Sequence, residues 1–407
     1  MIGYRSYYLS PATPTAEPQP AIYDPVLKST FPADLTDPNT IPTENHDPVY
    51  YPEPKEHLTQ QQAQAVIQEG IANVTKVLEA NDGSSTCTRC QNALAAAQLA
   101  VQLAPSLVPD AMVSLCKSAQ FASNTSCENN FNATNFGAIW TTVLYFADVQ
   151  GLDGQYICRA IGSFCPEPVT SPLDTSNLFP KPKPENAAVP RASGKRVKVL
   201  HLSDLHLDPR YSVGSEGNCS SSLCCRANNF NVNSPQAPIL PAPAYGSFFC
   251  DTPYDLALAA LQSVGPLTGT GKQEPFAWTI YTGDLVSHES QSELSRLYAE
   301  YEETSIYGML KTFLTGPVFA ALGNHDSNPE AIDAPHSLPG PLGQQQSWNY
   351  NHVAGLWKHE GWIDDKTAKQ AMTHYGGYSI KTNYGLRIIS WNTGKSLPKR
   401  KLRDDRS

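Results

Sequence analysis

The sequence predicts a two-domain protein of mixed α+β and α/β class. A small, disulfide-stapled, all-helical unit comes first, and a β-sheet unit flanked by helices follows. Three observations carry this reading. Six of the ten cysteines lie within residues 87–165, where apolar residues recur at helical spacing. After residue 195 the rhythm becomes short β-branched runs separated by helical stretches, as in an α/β sheet. Two Pro-rich segments set the units off, with eleven prolines from Pro11 to Pro54 and seven from Pro166 to Pro190. Length agrees, because 407 residues at ~150 per domain exceed one domain.

Residues 1–55 are Pro-rich and aperiodic and read as a disordered or extended arm. The helical unit covers 56–166. Ile67, Ile71, Val74 and Leu78 share one stripe, as do Leu94, Ala97, Val101 and Ala104, then Met112, Leu115 and Ala119. Residues 131–164 continue the helical text with Trp140, Tyr145 and Phe146. Residues 167–194 form the linker and 195–393 the sheet unit. Its strands are expected at Val197–Leu202, Trp278–Tyr281 and Val318–Leu322, with helices over 254–264 and 289–312. Tyr375–Lys381 and Leu386–Trp391 read as a hairpin turning at Asn383-Tyr384-Gly385. Residues 394–407 are a basic tail without apolar periodicity.

Lys+Arg 29 against Asp+Glu 38 gives a net charge of −9, which leaves no cation excess to neutralise a phosphate backbone. Nucleic acid is therefore not an expected partner. No run approaches the ~18 apolar residues of a membrane-spanning helix, so no transmembrane segment is expected. The chain is expected to act as a monomer. Sequons start at Asn73, Asn124, Asn132 and Asn218. With the grouped cysteines they favour an oxidising, glycosylating compartment, secreted or lysosomal/vacuolar. Met1 to Pro20 lacks the apolar core of a signal peptide, so the true start is expected upstream.

Three strand ends carry metal-type ligands. Asp204 and His206 stand two apart, so in extended chain they face the same way and reach one ion. Gly283 lets the backbone turn so that Asp284 can bridge two ions. Gly323-Asn324-His325-Asp326 offers an amide oxygen beside an imidazole suited to acid chemistry. Carboxylate, imidazole and amide together suit Zn, Mn or Fe better than Ca. Each fragment alone is common in loops; their ordered occurrence after successive apolar runs is not.

That order, Asp-x-His, Gly-Asp, Gly-Asn-His-Asp, resembles the calcineurin-like metallophosphoesterases. The strings His201-Leu202-Ser203-Asp204-Leu205-His206-Leu207-Asp208-Pro209 and Thr282-Gly283-Asp284-Leu285-Val286-Ser287-His288 are similar to the acid sphingomyelinases within them. The first six cysteines resemble the saposin B-type domain that precedes the catalytic domain there. Spacing alone leaves 15 pairings of six cysteines open. The resemblance implies Cys87–Cys165, Cys90–Cys158 and Cys116–Cys127, then Cys219–Cys224 and Cys225–Cys250. It also implies a metallophosphoesterase β-sandwich and a two-zinc site. Asp204 and His206 would hold the first ion, Asp284 would bridge, and Asn324 would hold the second. His325 would act as acid or charge stabiliser, assisted by His288. The implied reaction is hydrolysis of sphingomyelin to ceramide and phosphocholine at a membrane surface, with the helical unit presenting lipid.

The family pattern also has a Gly-His and a later Gly-His-x-His motif, and neither occurs here. After His325 the chain holds only His336, His352, His359 and His374, none after a glycine. An incomplete sandwich, a C-terminally truncated chain and an impaired enzyme are the expectations. The alternatives are a phosphomonoesterase or nucleotide phosphodiesterase on the same fold, or a non-catalytic lipid-binding fragment.

Overall fold

The computed structural model describes residues 21–41, 45–169, 174–185, 187, 194–221, 223–332, 338 and 340–392. They fall into two compact units. One takes the described residues up to Tyr50, then Ser123–Phe136 and those from Val199 onward; the other takes Tyr51–Ala122 and Gly137 to Lys198.

The first unit opens on a hairpin of β1 (Tyr23–Asp24) and β2 (Ser29–Thr30). Asp24 closes its turn, accepting the N–H groups of Val26 and Leu27 at 2.7 and 3.0 Å. The described part of residues 1–55, expected as a disordered or extended arm, thus holds a short hairpin, with residues 45–55 outside any helix or strand. Asp24 and Phe31 are both buried, and Phe31 packs edge-on against Tyr301. The other Asp24 oxygen accepts from His352 Nε2 at 2.6 Å and from Thr304 Oγ1 at 3.2 Å, while His352 Nδ1 donates to Glu303. A Pro-rich composition predicts poor periodicity but is silent about such anchors.

The helices follow the sequence stripes. α1 (Gln60–Glu79) starts in a capping box, Thr59 with Gln62, and α2 (Thr86–Leu103) starts at Ser85, whose hydroxyl accepts the N–H of Thr88. Then come α3 (Val108–Ser118), α4 (Asn124–Phe131), α5 (Ala138–Phe146) and α6 (Leu152–Gly162). Ile67, Val101, Ala104, Val108, Leu144 and Ile157 form the helical core. A Cβ on Gly70 would lie 2.8 Å from the Ala100 Cβ, which explains a glycine where α1 approaches α2. Cys87–Cys165 and Cys90–Cys158 staple the start of α2 to α6 and its tail, as the resemblance implied. Cys116 and Cys127 are also disulfide-bonded, and no cysteine is free. The grouping is not the expected 56–166: the compact unit takes Tyr51–Ala122 and the described residues from Gly137 to Lys198, while Ser123–Phe136, carrying α4, groups with the first unit, and the chain kinks at Asn135 (φ −101°, ψ −124°) before α5.

The sheet unit runs β3 (Val199–Leu202), β4 (Leu207–Asp208), β5 (Thr252–Pro253), α7 (Tyr254–Thr268), β6 (Trp278–Tyr281), α8 (Arg296–Phe313) and β7 (Val318–Ala320). It ends with α9 (Gly340–His359), α10 (Asp365–Thr373), β8 (Tyr378–Lys381) and β9 (Arg387–Ser390). β3, β6 and β7 lie side by side, all parallel, with Leu202 opposite Tyr281 and Tyr281 opposite Ala320. Their carboxyl ends therefore open on one edge, where the next loops meet. α8 begins at Arg296, later than the expected 289, because Ser295 caps it by accepting the N–H of Tyr298. β8 begins three residues later than expected because Tyr375 and Gly376 take positive φ. The β8–β9 hairpin is tied to β7, the Tyr378 and Ser390 hydroxyls both donating to the Ala320 carbonyl at 3.0 and 2.8 Å. Trp357, Tyr307, Tyr281, Tyr350 and Leu310 fill the core.

Between β4 and β5 runs a long loop stapled by Cys219–Cys224 and Cys225–Cys250, again as implied. Beneath it Arg226 Nε contacts Asp208 at 2.8 Å, Arg210 reaches Glu289 at 2.6 Å, and Arg226 shares that same Glu289 oxygen. All four side chains are buried. Among the described residues no single helix is long and apolar enough to cross a membrane.

Candidate active site

The loops after β3, β6 and β7 carry the site. Asp204, His206 and Asp284 all take positive φ, 56°, 37° and 57°. A left-handed non-glycine residue costs roughly 1–2 kcal/mol, so three together mark loops held in shape by their surroundings. Asp204 N–H donates to the Gly283 carbonyl at 3.0 Å, and His206 N–H to that of Asp284 at 3.1 Å. Gly283 has φ +88°, and a Cβ there would lie 2.1 Å from the Gly323 nitrogen; a Cβ on Gly323 would lie 2.1 Å from Asp284 Oδ1. Only glycines allow these two loops to touch.

Ligand atoms of Asp204, His206 and Asp284 lie within 4.8 Å of one another, and so do those of His206, His288 and His325. His206 Nδ1 donates to the Val286 carbonyl at 2.7 Å, which leaves Nε2 as the nitrogen open to a metal ion. Asn324 Nδ2 donates to Glu330 at 3.2 Å, which leaves its amide oxygen as a neutral donor. The donor set fits a borderline divalent metal ion.

The imidazoles cluster tightly. Ring centroids are 4.0 Å apart for His206–His288, 4.2 Å for His288–His325 and 5.0 Å for His206–His325. Their environments differ. His288 Nδ1 bonds Asp251 Oδ1 at 2.9 Å, and its backbone N–H donates to Asp251 Oδ2 at 2.5 Å. The hydrogen bond to Asp251 raises the His288 pKa above its ordinary value against the effect of burial. Burial lowers that of His325, although Glu330 stands 3.5 Å from its Nε2. The two imidazoles thus shift in opposite directions.

Three residues here escaped the sequence reading of roles. Asp251 has no signal beyond following Cys250, and Glu330 has none. Asp326 lay in the Gly-Asn-His-Asp string but was given no task. It is buried and takes the N–H groups of Asp284 (2.9 Å), Leu285 (2.7 Å) and Gly323 (2.7 Å), fastening two strand-end loops together. Burial pushes its carboxyl up to about 6, opposed by those N–H groups. Asp326→Asn puts an amide NH2 against an N–H donor, and metal affinity is expected to drop about 10–100-fold. Titration of the metal-free chain checks this; unchanged affinity would remove Asp326 from the site.

The other candidates fall outside this cluster. His352 is buried between Asp24 and Glu303 and is no site ligand. His336 lies outside the described residues. The sequon residues Asn73, Asn124, Asn132 and Asn218 are all exposed.

The sequence profile of the calcineurin-like phosphoesterases matches residues 197–405, which begins two residues before β3 and takes in every site residue above. The chain belongs to the calcineurin-like phosphoesterase family. This phosphoesterase is 32% identical over 248 residues to sphingomyelin phosphodiesterase B of Dictyostelium discoideum, covering 59% of the chain and 35% of that protein. It is 27% identical over 318 residues to Homo sapiens sphingomyelin phosphodiesterase, covering 76% and 47%. It is also 34% identical over 196 residues to the Homo sapiens cyclic GMP-AMP phosphodiesterase SMPDL3A, covering 47% and 37%. The aligned part of this phosphoesterase spans between about a third and a half of each of these relatives.

Proposed function

We propose that this phosphoesterase hydrolyses sphingomyelin to ceramide and phosphocholine in a secreted or lumenal, oxidising compartment. The carrying observation is the convergence of Asp204, His206, Asp284, His288 and His325 at one sheet edge. A second reading, cleavage of a nucleotide phosphodiester, is favoured by the 34% identity to SMPDL3A. Sphingomyelin is preferred on coverage. The alignment to the human sphingomyelin phosphodiesterase takes in 76% of the chain, more than residues 197–405 contain, so it reaches into the helical unit. That unit is proposed as a saposin B-type lipid-handling module, whose stapled amphipathic helices suit a substrate embedded in a bilayer.

Asp204, His206 and Asp284 would hold one zinc, and Asp284 with Asn324 a second. The metal supplies positive charge against the phosphoryl oxygens and favours ionised water. The protein's own part is proton delivery. Asp251 fixes the His288 ring through Nδ1 and shifts its pKa upward, so we assign its Nε2–H as the acid. In this proposal water adds to phosphorus, the P–O bond to ceramide breaks, and the departing alkoxide takes a proton from the imidazole pair His288 and His325. A poorly leaving alkoxide makes this acid worth ~10²–10⁴-fold in rate.

Among the described residues Asp284 and Asn324 are assigned to the second ion, so we expect the first zinc to be held more tightly than the second. The test is to reconstitute the chain with zinc, count metal per chain, and offer sphingomyelin micelles, a soluble aryl diester and a cyclic dinucleotide. Chelator-sensitive release of phosphocholine, depressed by His288→Gln, is the expected outcome. Cleavage of the cyclic dinucleotide alone would establish the second reading instead.

A further inference from the structure

We propose that the disulfide-stapled loop between β4 and β5 is a membrane-contacting surface that rests on a zwitterionic, phosphocholine-headed bilayer. The proposal builds on the sphingomyelin reading but stands on a different part of the molecule. Residues 211–250 contain only two charged side chains, Glu216 and Arg226. Both are buried and engaged. The Glu216 carboxylate accepts the N–H groups of Asn218, Ile239 and Leu240 at 2.9, 2.6 and 3.1 Å, and Arg226 pairs with Asp208 and Glu289. The water-facing side of this loop therefore carries no ionic group.

It carries apolar ones instead. Phe230, Val232, Ile239, Tyr245, Phe248 and Phe249 are exposed, and Phe248, at 105% relative exposure, touches almost nothing of the protein. So many exposed apolar side chains on one stapled loop mark a surface that something else covers. Aromatic rings without charge suit the interface of a bilayer, where their edges meet headgroups and their faces meet acyl chains.

The loop is also rigid. Cys219–Cys224 and Cys225–Cys250 pin it, and the Tyr211 hydroxyl donates to the Pro243 carbonyl at 2.6 Å. Little ordering remains to be lost on binding. The exposed pair leads straight into the site. Phe248 and Phe249 are followed by Cys250 and Asp251, the carboxylate that holds His288. A bilayer touching Phe248 would thus lie beside the proton-delivering histidine.

Charge selects the lipid. A loop without exposed charge, on a chain of net charge −9, gains nothing from anionic headgroups and should bind neutral ones with little salt dependence.

The experiment compares the full chain with its Phe248→Ser/Phe249→Ser variant in co-sedimentation with sphingomyelin–phosphatidylcholine vesicles. Binding should fall about tenfold for each aromatic removed, at an unchanged thermal midpoint. Undiminished binding would overturn the proposal, and so would wild-type binding that needs anionic lipid or collapses at high salt. If the double variant fails to fold, Phe248→Trp serves in its place. Its fluorescence should be quenched by brominated phosphatidylcholine beyond the wild-type level, and no added quenching would equally overturn the proposal. Loop-dependent vesicle binding by a chain that cleaves only cyclic dinucleotides would uphold the surface while removing the sphingomyelin reading.

Discussion

Asp284→Asn is expected to abolish tight metal binding and to lower diester hydrolysis by about a thousandfold or more. Asp284 shares a ligand cluster with Asp204 and His206, and its Oδ1 also accepts the His325 N–H at 2.9 Å. The exchange keeps the shape and removes the charge. Charge stabilisation of the transition state by a catalytic metal amounts to several kcal/mol, and each ~1.4 kcal/mol is tenfold in rate. The metal-free variant should fold at least as well as wild type, since buried Asp326 loses a neighbouring negative charge. Metal titration with activity decides the matter. Wild-type affinity in the variant would mean the cluster is not the metal site.

The second large effect concerns stability. His352→Gln is expected to cost about 3–5 kcal/mol, because the buried Asp24 carboxylate would lose its cation and buried Glu303 its hydrogen-bond partner. For a unit of this size that is a fall of roughly 10 °C in Tm. Replacing all three by neutral residues, Asp24→Asn, Glu303→Gln and His352→Gln, should recover much of the loss; no recovery would mean the cost lies in packing.

The pH dependence follows in sign. Burial disfavours the His352 cation, but its hydrogen bonds to Asp24 and Glu303 outweigh that and raise its pKa from 6.5 to about 10. The stability it contributes is therefore whole below pH 6.5 and fades as pH rises toward 10. Burial pushes Glu303 up to about 8, which acts in the same direction. Asp24 works oppositely. Burial would raise it, yet the bond from His352 holds it low, so its contribution is lost only in acid. Thermal melts from pH 6 to 9 should decline in wild type and flatten in the triple variant.

What could be read from the sequence depended on whether a signal was local. β6 was legible to the residue because Trp278–Tyr281 is an apolar run between polar stretches. The ligands Asp204, His206 and Asp284 were legible because each follows such a run. α9 was not. Gly340, Pro341 and Gly343 are poor helix formers and the segment carried no assignment, and the helix exists because Leu342, Tyr350, Val353 and Trp357 are buried against other elements. Asp251 lies 37 residues from His288, and Asp24 lies 328 from His352. No window spans such partners. The arm was misread for the same reason: its proline content was visible and its anchors were not.

The 328-residue gap between Asp24 and His352 also imposes an order on synthesis. A ribosome adding ~5–20 residues per second needs roughly 15–65 s to cross it. Throughout that interval the hairpin of residues 23–30 has emerged without the histidine that neutralises it. The helical unit meanwhile closes its bridges over separations of only 78 and 68 residues. The helical unit can thus close these bridges before residue 352 is made, while residues 23–30 wait for α9. That is a window in which a chaperone or an oxidoreductase would find residues 23–30 undocked.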